Sequence, residues 1–240
     1  MIKRHRLCFL ALAILALVGP AASAQDVKAE TSSEVPELTA FHDIIYPIWH
    51  TAYPSKDCAA LRGFVPQVNE LAAKVFAAQL PGILRDKKAK WEEGLAVFKK
   101  SVEAYNEAAK GQNDQAMLDA AEALHAKYEA LVRLISPVLA EVEAFHQILY
   151  VLYHKDYPAK AFDKIRGTTA ELVAKAEAIA KATLSKRLEA KTEAFRKAAA
   201  DLLEAAKSLD TAGQNHDHEG MLKGVEVLHV KYQALEAVFN

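Results

Sequence analysis

The sequence predicts an all-α protein made of two tandem up-down-up-down four-helix bundles that arose by an internal duplication. Alanine, leucine, glutamate and lysine dominate, and only 9 of the 240 residues are glycine, a composition that favours helix. Turn residues divide the chain into amphipathic segments, and four such segments with short connections form a bundle. The sequence also matches itself at a shift of 104 residues, which predicts two bundles.

The residues that recur at the shift of 104 are mainly polar or aromatic. Apolar positions vary freely among Ala, Leu, Val and Ile, whereas six of the nine histidines form three matched pairs. The recurring pairs include Phe41/Phe145, His42/His146, Tyr46/Tyr150, His50/His154, Arg62/Arg166, Glu122/Glu226, His125/His229 and Tyr128/Tyr232. Retention of these residue types indicates a function beyond folding.

The chain divides into four predicted regions. Residues 1–24 are a signal peptide, residues 25–35 a flexible leader, residues 36–136 the first bundle and residues 137–240 the second. Only Ser136-Pro137 separates the bundles. Because proline is tolerated in a first helical turn, we expect a near-continuous or kinked helix to join them.

The N-terminal segment has the pattern of an export signal. Basic residues precede an apolar run at 7–18, and Ala22-Ser23-Ala24 is a small-residue cleavage site. The run is shorter than the ~20 residues of a membrane-spanning helix. No later stretch is long and apolar enough to cross a bilayer. We therefore expect a periplasmic or secreted protein with no membrane span after cleavage.

Charge, cysteine content and motifs exclude several functions. The whole chain has a formal net charge of −1 and loses three basic residues with the signal, so nucleic acid is not an expected partner. Cys58 is the single cysteine left after cleavage, which excludes an internal disulfide, and we expect its thiol to be buried. No phosphate loop, nucleophile motif or His-Glu-x-x-His pair occurs, so we do not expect an enzyme.

Turn residues divide each bundle into four predicted helical segments. Those of the first bundle are 36–52, 55–81, 86–110 and 114–136. Those of the second are 138–156, 159–182, 185–208 and 217–239. Residues 107–110 match residues 204–207 at a shift of 97. This local match predicts that the second bundle lost seven residues in its middle loop and gained seven in its last loop.

The candidate site is a histidine pair inside each bundle. On a helical wheel His42 lies in the middle of the apolar face of the first helix, and His125 faces the interior from the fourth. Each lies eleven residues from the same end of the bundle, or about 16 Å at the rise of an α-helix. His42 is therefore expected to meet His125, and His146 to meet His229.

Such histidine pairs predict a transition-metal site. Neutral imidazole is a common ligand of Zn, Cu, Ni and Fe. Glu122 and Glu226 each precede a candidate histidine by one helical turn, as supporting ligands or orienting groups. We expect one ion per bundle, for storage, buffering or delivery. The secondary candidate ligands are His50, His154, Tyr46, Tyr150, Tyr128 and Tyr232.

Two alternatives to the metal site stay open. With candidate axial ligands on its first and last helices, the chain resembles exported four-helix-bundle proteins of the b-type cytochrome kind. This resemblance implies a non-covalent haem b held by two histidines, and the missing Cys-x-x-Cys-His motif excludes covalent haem. In the other alternative the histidines only satisfy buried hydrogen bonds, in a metal-free structural or interaction module with a protein partner or a second copy of the chain.

Two further features have simpler interpretations. Arg62 and Arg166 are expected to pair with a helix end or a carboxylate. The loop His216-Asp217-His218-Glu219 can bind a metal weakly, but the first bundle has no counterpart of it.

Overall fold

The computed structural model describes residues 24–239, and these residues form α-helices and no strand. The predicted all-α class is therefore confirmed. We refer to residues 24–136 as the first half and to residues 137–239 as the second half.

The first half contains six α-helices and two shorter helical turns. A π turn at Ile48–Ala52 extends the second helix, and a 3-10 turn at Gly82–Lys87 leads into the fifth. The α-helices are α1 (Ala24–Glu30), α2 (Pro36–Pro47), α3 (Cys58–Gly63), α4 (Val65–Ala77), α5 (Lys88–Lys110) and α6 (Asp114–Ile135).

The second half contains four α-helices and the same two kinds of turn. A π turn at Leu152–Asp156 extends its first helix, and a 3-10 turn at Lys186–Lys191 leads into its third. The α-helices are α7 (Ala140–Val151), α8 (Phe162–Lys181), α9 (Thr192–Gln214) and α10 (His218–Ala237).

The helix starts keep one spacing from α2 to α10. Corresponding elements, from α2 and α7 to α6 and α10, begin 104 residues apart. The predicted exchange of seven residues between two loops is wrong, because α9 continues to Gln214 and has the same 23 residues as α5. The misleading match differs from the true spacing by seven residues. That is close to two helical turns, after which an alanine-rich amphipathic helix resembles itself.

The predicted second segment of the first half is two helices rather than one. α3 ends at Gly63, and α4 begins with Pro66 in its first turn. Pro66 removes a backbone donor, and the break places it where a helix tolerates proline. The counterpart α8 has no proline and runs without a break. Asp57 caps α3, accepting the amide of Ala60 at 2.9 Å.

Two hydrophobic cores hold the helices together. The first contains buried residues from Val35 to Ile135 together with Tyr150, and the second contains buried residues from Val142 to Leu235. Within the first core α5 packs on α4 and α6, and within the second α9 packs on α8 and α10. Tyr150 is the exception, because it belongs to α7 but is buried in the first core.

The connection between the halves is kinked. Four residues separate α6 from α7, and the two helical rods, α6 and α7 with its π turn, meet at a bend of 56°. No single helix among the described residues has the length and hydropathy to cross a bilayer, although this bent pair meets that criterion when its two arms are taken together.

Residues 25–35 differ from the predicted flexible leader. They include most of α1, and Val35 is fully buried in the first core. Glu30 accepts an ion pair from Lys155 at 3.1 Å, so this segment contacts the second half. The signal-peptide prediction falls on residues 1–24, of which 1–23 lie outside the described residues.

Candidate histidine and aromatic sites

His42 and His125 lie at different depths, so the predicted pairing of these two rings is wrong. His42 is exposed, with its ring 5.9 Å from that of Tyr46 and 6.4 Å from that of Tyr128. His125 stacks on Trp49, with ring centroids 4.0 Å apart and planes at 7°. Trp49 is seven residues beyond His42, which corresponds to about 10 Å along a helix.

The error in depth has a definite structural origin. Tyr53 at the end of the first helical rod donates to Glu122 at 3.0 Å, not to the start of α6. The start of α6 lies level with α3, because Arg62 donates to Gly111 at 3.2 Å and to Asp114 at 2.9 Å. Tyr53 is therefore displaced from Asp114 by about eight residues, or about 12 Å. The pairing expected for Arg62 is confirmed.

His50 is close enough to His125 to affect its pKa. It sits in the π turn at the end of α2, and its positive form would lower the pKa of His125, which burial already lowers. The ring of His50 lies 4.7 Å from that of Tyr46. π turns are frequent at functional sites.

The second half repeats these ring contacts. Tyr153 takes the place of Trp49 and stacks on His229 at 3.7 Å and 5°. His154, in the second π turn, lies 4.8 Å from Tyr150 and 6.4 Å from His229 between ring centroids. Tyr157 donates to Glu226, as Tyr53 does to Glu122. In the second half the imidazoles that approach each other come from the π turn and the last helix.

Arg85 of the first half covers Tyr150 and His154 of the second. Its guanidinium donates to the Tyr150 hydroxyl, lies 3.1 Å from Nδ1 of His154 and sits 4.9 Å from the centre of the Tyr150 ring. A Cβ at Gly82 would overlap the Tyr150 hydroxyl and lie 2.9 Å from Cζ. Glycine at this position therefore lets the 3-10 turn lie directly against the ring.

The contact with Arg85 fixes the proton on His154. A guanidinium only donates, so Nδ1 of His154 accepts and the neutral ring carries its proton on Nε2. Burial lowers the pKa of His154, and the positive Arg85 lowers it further. Burial also lowers the pKa of His229. Both rings are therefore neutral at pH 7, but His154 has no free lone pair while Arg85 is in place.

His146 is half-buried in a different environment from His42. It stacks on Tyr232 at 4.5 Å, and burial, reinforced by the charge of Lys87, lowers its pKa to about 3. It lines a cleft of about 510 Å³ between the halves. Glu143 in this cleft has a buried Oε1 without a hydrogen-bond partner, and burial raises the pKa of Glu236.

The cleft beside His42 has the same position in its half but a different lining. It has a volume of about 400 Å³ and is lined by His42, Tyr128, Thr39 and Val132. Thr39 and Val132 occupy the positions of Glu143 and Glu236. Burial raises the pKa of Tyr128 to about 12 and also raises that of Tyr232. These phenols therefore keep their protons, which makes them poor metal ligands at neutral pH.

No dense metal-ligand cluster occurs in the described residues. Between residues 24 and 239, no group of three or more His, Cys, Asp or Glu side chains is placed to hold a metal ion. Glu122 and Glu226 each accept a tyrosine hydroxyl instead of approaching the imidazole pair as ligands. A site built from these residues thus has two imidazole ligands at most.

The remaining candidates have structural partners. Cys58 is buried, as predicted, and its thiol donates to the carbonyl of Asp114 at 3.6 Å. Arg166 pairs with Asp163 at 2.9 Å and contacts His216 at 2.7 Å. His218 stacks on Phe162 at 3.9 Å and 3°. The loop histidines are thus each held by a neighbouring side chain.

Arg85, Gly82 and the stacking roles of Trp49 and Tyr153 were not predicted from the sequence. Trp49 and Tyr153 lie 104 residues apart, so their shared aromatic character was a usable signal. Arg85 has Glu189 as its counterpart, and Gly82 has Lys186. A search for recurring residues cannot find them, because they act only where one half meets the other.

Comparison with known proteins gives no family model that matches the chain, no curated protein that matches it and no solved structure that matches it.

Proposed function

We propose that the chain is an exported protein of two tandem four-helix bundles that binds one transition-metal ion through His50 and His125. The ligand pair differs from the pairs expected from the helical wheel. The proposed number of ions is one in the chain, where one per bundle was expected. The role that fits a two-imidazole site is buffering or delivery, because such a site releases its ion readily.

Duplication of one bundle accounts for several independent regularities. Matched polar residues, helix starts and π turns all recur at 104 residues. The non-glycine residues Lys56 and Lys160 have positive φ angles of 54° and 49°, so even a rare backbone conformation recurs. The two separate cores support one bundle in each half.

The observation that carries the metal proposal is the approach of two imidazoles from the π turn and the last helix. In the second half the ring centroids of His154 and His229 are 6.4 Å apart. This separation leaves room for an ion at about 2 Å from one nitrogen of each ring. The matching stacking partners in the first half support the same placement of His50 and His125.

The histidine pair of the first half, His50 and His125, is accessible to solvent. His50 is exposed and His125 is half-buried, so an ion can reach both. The lowered pKa of His125 keeps that ring neutral, as a ligand must be. In the second half Arg85 places a positive charge and a donor on His154, which opposes a cation there. Zn²⁺ and Cu²⁺ are the ions that imidazole suits well.

The proposal is tested by titrating the full chain without its signal segment with Zn²⁺, Cu²⁺ and Ni²⁺ in a calorimeter. We expect one equivalent of at least one of these ions, lost in His50→Ala and in His125→Ala. The matched controls His154→Ala and His229→Ala retain it. Equal loss in all four variants, or no binding by the unmodified chain, contradicts the proposal.

Non-covalent haem is the alternative use of the same ligands. Two imidazoles from facing elements can ligate haem iron, and the rings of the first-half pair come from the π turn and α6. Adding haemin to the same four variants separates the cases. A Soret shift that needs His50 and His125, with no response to the divalent ions, establishes haem binding in place of a metal site.

A further inference from the structure

Tyr150 and His154 form a surface that is covered by a turn from the first half. Only 2% of Tyr150 is exposed, and its hydroxyl accepts from Arg85 and donates to Glu30 at 3.4 Å. Gly82 lies against the ring because it has no side chain. The covering element is a 3-10 turn with glycine and arginine three residues apart.

The same surface exists in the first half, and none of the residues 24–239 covers it. Tyr46 and His50 are the counterparts of Tyr150 and His154, and 54% of Tyr46 is exposed. Their ring centroids are 4.7 Å apart at 41°, compared with 4.8 Å and 50° for the covered pair. The arrangement that accepts the turn is therefore already formed without an occupant, so its ordering cost is low.

The second half cannot cover this surface in a neighbouring copy of the chain. Its own 3-10 turn carries Lys186 where the covering turn has Gly82, and Glu189 where it has Arg85. A lysine Cβ would overlap a tyrosine hydroxyl placed like that of Tyr150. A carboxylate at the arginine position lacks the donors that Tyr150 and His154 receive.

We propose that Tyr46 and His50 dock a different exported protein through a surface turn that presents glycine and, three residues later, arginine. The guanidinium donates to the Tyr46 hydroxyl and to Nδ1 of His50 and lies over the Tyr46 ring, a favourable cation–π contact. The glycine lets the turn approach the ring. This inference shares His50 with the metal proposal, but it rests on the exposed Tyr46 ring and does not require a bound ion.

The test introduces the glycine and the arginine of the covering turn into the 3-10 turn of the second half. The full-length variant Lys186→Gly/Glu189→Arg gives the exposed 3-10 turn of the second half the two residues that matter. One molecule then docks on the Tyr46 surface of the next, a head-to-tail contact that generates open chains. In sedimentation at rising protein concentration, we expect the weight-average mass to exceed that of the unmodified chain by about two-fold or more.

Two control variants accompany the double variant. Adding Tyr46→Ala to the double variant restores the mass of the unmodified chain. Lys186→Gly/Glu189→Lys associates less, because lysine lacks the planar fork of arginine. A double variant that stays at the mass of the unmodified chain overturns the inference, and so does association that persists in Tyr46→Ala. If the unmodified chain already associates through Tyr46, the occupant is a second copy and a distinct partner is refuted.

Discussion

Tyr46 and Tyr150 have the same place in their helices, yet one is exposed and the other is buried. Tyr150 is covered by Arg85 and Gly82, which belong to the other half. No residue between 24 and 239 covers Tyr46 in this way, and it is 54% exposed. Two residues 104 positions apart in matching helices can therefore have different environments, because the half that packs against each of them differs.

The two clefts beside His42 and His146 differ for the same reason. The cleft at His146 is closed by residues of the first half, including Lys87, and holds Glu143 and Glu236. The cleft at His42 is lined by residues 33–43 and 128–137. One pattern of sequence thus gives an exposed histidine in one half and a half-buried one in the other.

The largest expected contrast is between Tyr150→Ala and Tyr46→Ala. Removing the buried ring of Tyr150 leaves a cavity in the first core, so we expect the free energy of unfolding to fall by about 3–5 kcal/mol. Removing the exposed ring of Tyr46 is expected to change it by about 0.5 kcal/mol or less. Urea denaturation of both variants measures the contrast, and equal losses would refute the difference in burial.

Gly82→Ala and Lys186→Ala compare the two 3-10 turns. The new methyl group at residue 82 must displace the buried Tyr150 ring, so we expect a loss of about 1–3 kcal/mol. Lys186 is exposed, and its replacement is expected to change stability by about 0.5 kcal/mol or less. Thermal denaturation of the two variants measures the two changes in stability. A neutral Gly82→Ala would show that the turn can move away from Tyr150 without cost.

Acidification is expected to destabilise the second half through His146. Its folded pKa is lowered to about 3, whereas the unfolded chain binds this proton near the ordinary value of about 6.5. The unfolded state therefore holds more protons between these two values. Stability falls as the pH drops through that window, with a slope of at most about 1.4 kcal/mol per pH unit.

Other groups around His146 modify this slope. Burial raises the pKa of Glu236, so its protonation on acidification offsets part of the loss. Lys87, Asp86 and Glu143 also line the cleft. His146→Gln removes the histidine contribution alone, so we expect its stability to depend less steeply on pH between about 6.5 and 4. Parallel denaturation curves at several pH values test this, and identical slopes would contradict it.

Tyr53→Phe and Tyr157→Phe are expected to give the smallest and most similar effects. Each removes an exposed hydroxyl that donates to a glutamate one turn before a histidine. The glutamate carboxylate then accepts hydrogen bonds from water instead, so we expect the free energy of unfolding to fall by about 0.5–1 kcal/mol in each variant. A difference above about 1 kcal/mol between the two would mean that the halves do not share this contact equally.

The sequence predicted the helical class and most helix boundaries because amphipathic periodicity and prolines act locally. It also predicted the burial of Cys58 and the pairing of Arg62. The wheel failed for His42 because the buried stripe of α2 passes through Phe41, Ile44 and Ile45, which leaves His42 at its edge. The predicted depth of the histidines along the bundle was wrong because the start of α6 lies level with α3 and not with the end of the first helical rod.

The contact that distinguishes the halves could not be predicted from the sequence. Arg85 and Gly82 have no recurring counterparts, and their partners Tyr150 and His154 lie more than sixty residues away. Only packing of one half on the other brings them together. The recurring residues therefore indicated where the two sites are, and the non-recurring ones decided which site is open.

The metal stoichiometry of Arg85→Ala is the decisive measurement. We propose that both halves carry the same imidazole pair and that the guanidinium of Arg85 closes the second one. Calorimetric titration of the unmodified chain is expected to give one equivalent, and that of Arg85→Ala two, with the added equivalent lost in Arg85→Ala/His229→Ala. An unchanged stoichiometry in a variant that keeps its helical circular dichroism would contradict the account.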